Sequence, residues 1–190
     1  MAGRKRKADE GQIYQLKVTL RDSRPPIWRR LQVSGDISLE DLHWIVQTAF
    51  GWTNSHLHQF IIGRQYYSLP EFELDEYNEK IGDESRVKLD QLKLKPKSKF
   101  VYEYDFGDSW EHEILVEKLV EKEEGASYPR CIEGKRAGPP EDCGGVWGYE
   151  RLQKVIKDED DPEHEDMMEW LGGSFDPEHF DQEEVNEQFK

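Results

Sequence analysis

Apolar and polar residues alternate most clearly between Phe100 and Val116. Phe100, Tyr102, Tyr104 and Phe106 alternate with Val101, Glu103 and Asp105, and Trp110, His112, Ile114 and Val116 alternate with Glu111, Glu113 and Leu115. A period of two predicts half-buried antiparallel strands. Gly107-Asp108-Ser109 between them is turn chemistry. A two-residue loop would set glutamates on the aromatic face. A three-residue loop, Gly107 to Ser109, pairs Phe106 with Trp110, Tyr104 with His112, Tyr102 with Ile114 and Phe100 with Val116, and gathers the apolar groups on one face. It also sets Asp105 against Glu111 and Glu103 against Glu113, and like charges in register need an answer from a neighbouring strand, a cation or water.

A second hairpin is predicted upstream. Tyr14, Leu16, Val18 and Leu20 alternate with Gln15, Lys17, Thr19 and Arg21; Ile27, Arg29, Leu31 and Val33 alternate with Trp28, Arg30 and Gln32. Pro25 and Pro26 between them remove ladder donors and mark the turn. Lys17, Arg21, Arg29 and Arg30 are the candidates to answer the later acids. Ser38, with Asp41 three residues on, starts a helix whose Leu39, Leu42, Val46, Ala49 and Phe50 share one face; Gly51 ends it. His56 to Ile62 reads as one further strand, and Gly63-Arg64 as a turn before Tyr66 and Tyr67. Residues 69–99 read as irregular, with Val87, Leu89, Leu92 and Leu94 tucked against the core. Helices are predicted over Tyr149–Lys157, from Asp161-Pro162 to Trp170, and from Asp181 through Val185 and Phe189. The fold class is therefore α+β: a single domain with a mixed or antiparallel sheet of two β-hairpins plus an extra strand, one helix packed on the sheet, and a helical C-terminal segment. Its parts are a disordered basic tail over residues 1–12, sheet plus helix over 13–120, an ordered Gly/Pro-rich loop over 121–148, and an acidic helical part over 149–190.

Charge narrows the function classes. The formal net charge is -15, which disfavours nucleic-acid binding by the whole surface, because phosphate contacts need Lys and Arg. Arg4, Lys5, Arg6 and Lys7 form a local basic run, and Arg21, Arg24, Arg29 and Arg30 could add to it. Fourteen acids and one lysine lie from Asp158 onward; such a block reads as a solvated helical face. No apolar run reaches a membrane span. Two cysteines, Cys131 and Cys143, make no disulfide scaffold, and a cytoplasmic setting is expected. Ordinary buried thiols suit them better than metal ligation.

His56, His58, Asp105, Asp108, His112, Glu141 and Asp142 form a pool of ligands and bases. Imidazoles and carboxylates together can hold a divalent cation. His56 and His58, two apart on one strand, would share a face; with Asp108 and His112 they are the candidate metal ligands. Asp108, His112, Glu141 and Asp142 are the candidate catalytic residues. For each of these, a structural hydrogen bond is the ordinary role, and His112 on the aromatic face reads as a core histidine. No cofactor site is legible.

DFGDSWEH (Asp105 to His112), PPEDCGG (Pro139 to Gly145) and FDPEHFDQEEVN (Phe175 to Asn186), with IYQLKVTL, PPIWRRLQV and GWTNSHLHQF upstream, resemble the plasmid pRiA4b ORF-3-like family. The resemblance runs from about Ile13 to Phe189. It implies a single cytoplasmic α+β domain and carries no established activity; some members are labelled resolvase-like or are joined to DNA-binding domains. Gly138 stands where the resemblance leads one to expect a cysteine. Two functions follow as expectations. The first is a noncatalytic interaction module with a protein partner, linked to mobile elements or DNA transactions; no GxSxG, Walker loop or HExxH is present. The alternative is a metal-assisted hydrolase using a His/Asp cluster.

Overall fold

A computed structural model describes residues 11–72 and 81–190. Most of the expected basic tail lies outside the described residues; Gln12 already opens the first strand. One eight-stranded mixed sheet runs in the order β5-β4-β3-β6-β7-β1-β2-β8. Its strands are β1 (Gln12–Leu20), β2 (Trp28–Ser34), β3 (His58–Ile62), β4 (Gln65–Ser68), β5 (Ile81–Asp83), β6 (Lys99–Tyr104), β7 (Trp110–Glu121) and β8 (Arg130–Lys135). Among the described residues only β4 and β5 pair in parallel. The helices are α1 (Leu39–Phe50), α2 (Gly145–Val155), α3 (His164–Trp170) and α4 (Gln182–Glu187).

The expected hairpins are both present, within a larger sheet. β4 and β5 extend it past β3, and β8 lies inside the stretch expected to be a loop over 121–148. Gly134 does not break β8, because the strand needs only six residues and an edge position beside β2. Elsewhere the irregular stretch before β6 forms short 3-10 turns at Glu84–Arg86 and Leu89–Leu92.

The central register differs from expectation by two residues. Tyr104 pairs with Trp110, Tyr102 with His112 and Phe100 with Ile114. The loop is Asp105–Ser109, and Phe106 leaves the sheet. A two-residue shift keeps every side chain on its face, so the hydrophobic pattern could not distinguish the two registers. The Asp105 carboxylate decides it: Oδ1 accepts N–H bonds from Gly107 (2.9 Å) and Asp108 (3.3 Å), which closes the turn on itself.

The acids on the outer face are answered as expected from β1 and β2. Arg21 pairs with Glu111 at 2.6 Å, and Arg30 grips Glu117 through two nitrogens at 2.7 and 2.9 Å. Arg29 takes no part in this, because strand alternation sends it to the core face, where it is buried. On that face Leu16, Val18, Leu31, Phe60, Tyr102, Tyr104, Trp110 and Ile114 pack against Leu39, Leu42, Val46 and Phe50 of α1. Helix α1 begins in the expected capping box: Ser38 Oγ accepts from Asp41 N, and Asp41 accepts from Ser38 N. Ser38→Ala is expected to cost about 1 kcal/mol, read as a lower urea midpoint at unchanged slope.

Candidate functional site

Three loops meet at the C-terminal end of β6. Trp52 to Leu57 leads from α1 into β3, Asp105 to Ser109 joins β6 to β7, and residues 137–144 lead from β8 into α2. Their meeting is held by a ladder of polar contacts. Trp52 Nε1 donates to the Pro139 carbonyl at 2.8 Å. Ser55 N donates to the Tyr104 hydroxyl at 2.9 Å, and that hydroxyl donates to the Glu141 carboxylate at 3.0 Å. Glu141 also accepts from Thr53 N at 2.9 Å. Burial, then the Glu141 hydrogen bond, raises the Tyr104 hydroxyl well above its ordinary value, so it remains a donor. Gly144 N donates to Asp108 Oδ2 at 3.0 Å. Gly145 has φ +67°, and a Cβ there would meet the Asp108 carbonyl oxygen at 2.6 Å, so only glycine lets these loops close. Gly138 is equally confined: its Cβ would lie 2.1 Å from the Phe50 carbonyl oxygen. A cysteine cannot sit there on this backbone.

These contacts bring His56, Asp105 and Asp142 together, with one ligand atom from each all within 4.8 Å of one another. His56 Nε2 lies 2.9 Å from Asp142 Oδ1 and 3.6 Å from Asp105 Oδ2. Despite these short separations the nitrogen has no aligned hydrogen bond and is closed off from solvent. Asp105 Oδ1 is occupied by its own turn, which leaves Oδ2 facing the histidine. Bonds of about 2.1 Å to a shared cation set ligand atoms about 3.0 to 3.4 Å apart at right-angle to tetrahedral geometry. The two separations from His56 Nε2 bracket that range. Asp105 is nearly buried, His56 partly so, and the Asp142 side chain is 67% exposed, so the cluster is open on one side.

The remaining expected site residues lie elsewhere or do other work. His56 precedes β3 and is not on it, so it does not share a strand face with His58. His58 is buried, with Nε2 2.7 Å from Glu84 Oε1 and its ring stacked on His43 at 3.5 Å. His43 Nε2 donates to Asn54 Oδ1 (3.1 Å), and its Nδ1 accepts from the Tyr102 hydroxyl (2.8 Å), which itself accepts from Gln47 Nε2 (2.9 Å). His112 donates from Nδ1 to the Trp110 carbonyl at 3.0 Å and is fully buried, a core histidine as its position on the aromatic face suggested. Neither His58 nor His112 belongs to the cation cluster. Asp108 and Glu141 position the loops and do not join it. Burial holds His43 down at about 3, His58 at about 4 and His112 at about 3, and pushes Glu84 up to about 8. Glu84 was missed in the sequence because nothing separates it from the other acids of its acidic stretch.

Among the described residues neither thiol joins a group of three possible ligands. Both are free; burial pushes Cys131 up to about 11 and Cys143 to about 12. Of the described cations that could serve a nucleic acid, Arg21 is paired with Glu111 and Arg30 with Glu117 and Glu133, and Arg29 is buried. Among the described residues no helix is long and apolar enough to cross a membrane.

The family model described as plasmid pRiA4b ORF-3-like protein matches residues 12–184. Uncharacterized protein y4hQ of Sinorhizobium fredii is 37% identical over 163 residues, covering 85% of this chain and 82% of that one. The crystal structure of a protein of unknown function, MM3350 from Methanosarcina mazei Go1, superposes with a TM-score of 0.82 at 37% identity, covering 92% of this chain and 98% of that one.

Proposed function

The chain belongs to the plasmid pRiA4b ORF-3-like family, and from its loop cluster we propose that it is a divalent-cation-dependent hydrolase. His56 Nε2, Asp105 Oδ2 and Asp142 Oδ1 would hold the ion. The observation that carries the reading is the His56 nitrogen, enclosed beside two carboxylates and without an aligned hydrogen bond. One imidazole with two carboxylates suits Zn²⁺ or Mn²⁺. Three protein ligands would leave a coordination position for water, and such an ion would supply the acidity that makes that water a nucleophile near neutral pH. The exposed Asp142 marks the side from which an ester or phosphoester would approach. Tyr104 and Glu141 act as positioning residues through the loop they anchor.

The protein should be stripped with a chelator and titrated with Mn²⁺ and Zn²⁺ by calorimetry, then assayed against p-nitrophenyl esters and phosphoesters. One ion per chain and metal-dependent turnover are expected. Uptake without turnover would leave a cation centre and remove the hydrolase; no uptake would remove both.

A protein-binding role is a second reading. It is favoured by Trp147, 82% exposed in the first turn of α2, an unusual place for so large an apolar side chain.

A further inference from the structure

Arg29 is a buried charge without a counter-charge. Its side chain lies on the core face of β2 and is only 3% exposed. No carboxylate of the described residues stands within ion-pair distance. Its hydrogen bonds go to neutral backbone carbonyls: Nε to Ala49 at 2.7 Å, and Nη1 to Trp28 at 2.9 Å and Lys135 at 3.1 Å. The guanidinium carbon lies over the rings of Phe50 (5.0 Å) and Phe180 (4.7 Å). Phe180 is fixed over it, because the ring fills the space where a side chain at Gly134 would stand. Burial lowers Arg29 to about 10, which leaves it charged at neutral pH.

A charge so enclosed is ordinarily paired. Among the described residues the remaining nitrogen, Nη2, makes no hydrogen bond. The open space that Arg29 borders is a groove of about 750 Å³ between the end of α1, the 137–141 loop and α4. That is the size of a small-molecule site. Its walls are apolar, with Phe50, Phe175, Phe180 and Val185 among them; its rim carries Glu141, Asp181, Glu184 and Glu187 against His179.

We propose that this groove binds a small monocarboxylate with an apolar body, the carboxylate accepting from Arg29 Nη2 and the body lying against Phe50, Phe175 and Phe180. A carboxylate is a singly charged partner that can accept a charge-assisted hydrogen bond from the one nitrogen left, Nη2. The acidic rim repels a multiply charged anion such as phosphate more strongly than a monoanion. The site uses residues other than the cation cluster, so the two readings stand or fall separately.

Calorimetry with the full chain in excess EDTA tests it, using 4-phenylbutyrate, its uncharged counterpart 4-phenylbutanol, and inorganic phosphate as probes. The acid is expected to bind one per chain, at least about tenfold more tightly than the alcohol or phosphate. Arg29→Gln is expected to remove the preference for the acid. Because that variant risks the fold, Phe180→Ala serves beside it and is expected to weaken the acid at least about fivefold, a loss near 1 kcal/mol. Equal affinity for acid and alcohol, tighter binding of phosphate, no heat with the acid, or an unchanged Phe180→Ala affinity would each overturn the proposal. So would binding that appears only when EDTA is replaced by Mn²⁺, since that places the carboxylate on the cation cluster.

Discussion

His56→Ala and Asp105→Asn are each expected to weaken Mn²⁺ or Zn²⁺ binding by about 100-fold or more. Loss of a group that merely supports a ligand already costs about 10- to 100-fold, and these two are ligands in the proposed centre. Asp105→Asn keeps Oδ1, so the Asp105 turn and the hairpin register survive while the charge facing His56 is lost. Asp108→Ala is the contrasting variant. It removes the acceptor of Gly144 N, and about 1 kcal/mol of stability is expected to go with it. Metal stoichiometry should stay at one per chain. In a His56→Ala/Asp108→Ala double variant the whole metal loss should therefore trace to His56. The discriminating result is the pair of single variants: equal metal affinity in His56→Ala and the unaltered chain would move the centre elsewhere or abolish it.

Stability is expected to peak near pH 6.5 and to fall on both sides with different slopes. His43 and His112, held at about 3 by burial, resist protonation in the folded chain and accept it in the unfolded one near 6.5. The unfolded state binds more protons below that pH, so stability is lost as pH falls. Two groups over two pH units amount to about 5 kcal/mol between pH 6.5 and 4.5. The His58–Glu84 pair behaves otherwise. Folded, it holds one proton between about 4 and 8. Unfolded, it also holds one between roughly 4.5 and 6.5, on the histidine, and none above. It contributes no slope in that acid window. Above pH 6.5 the folded pair keeps a proton that the unfolded pair has lost, so stability falls by about 2 kcal/mol up to pH 8 and then levels. Urea unfolding across pH 4.5 to 9 reads both limbs. Glu84→Gln should flatten the alkaline limb and steepen the acid one by one further group, because His58 then stays neutral in the folded chain while its unfolded counterpart takes up a proton below pH 6.5; an unchanged alkaline limb would remove Glu84 from the account.

The resemblance noticed in the sequence and the family found by comparison agree, and the α+β class follows from two periodicities. The β1–β2 hairpin, α1 with its Ser38 cap and Gly51 stop, and the aromatic face of β6 and β7 all rest on local alternation or helical spacing. β8 did not show, because glycine and charge weaken the apolar pattern of an edge strand. The residues of the cation cluster were all within the wider pool of ligands, yet the grouping was different. Imidazoles close in sequence, His56 and His58, separate in space; His56 instead meets Asp142, 86 positions away. Arg29 looked like an answer to the acids of β7, though its own alternation with Arg30 already placed it on the opposite face.

By itself the sequence determined which residues face the core, because side-chain direction in a strand or helix follows from backbone geometry alone. Only the tertiary structure decided what those faces meet. A two-residue register shift leaves every face unchanged, so the turn closed by Asp105 had to choose it. The convergence of the Trp52–Leu57, Asp105–Ser109 and 137–144 loops rests on long-range hydrogen bonds such as Tyr104 to Glu141. Whether a buried ionisable group is partnered and held neutral, as Glu84 is beside His58, or stays charged beside an open groove, as with Arg29, depends on the dielectric and the partners that distant segments bring to it.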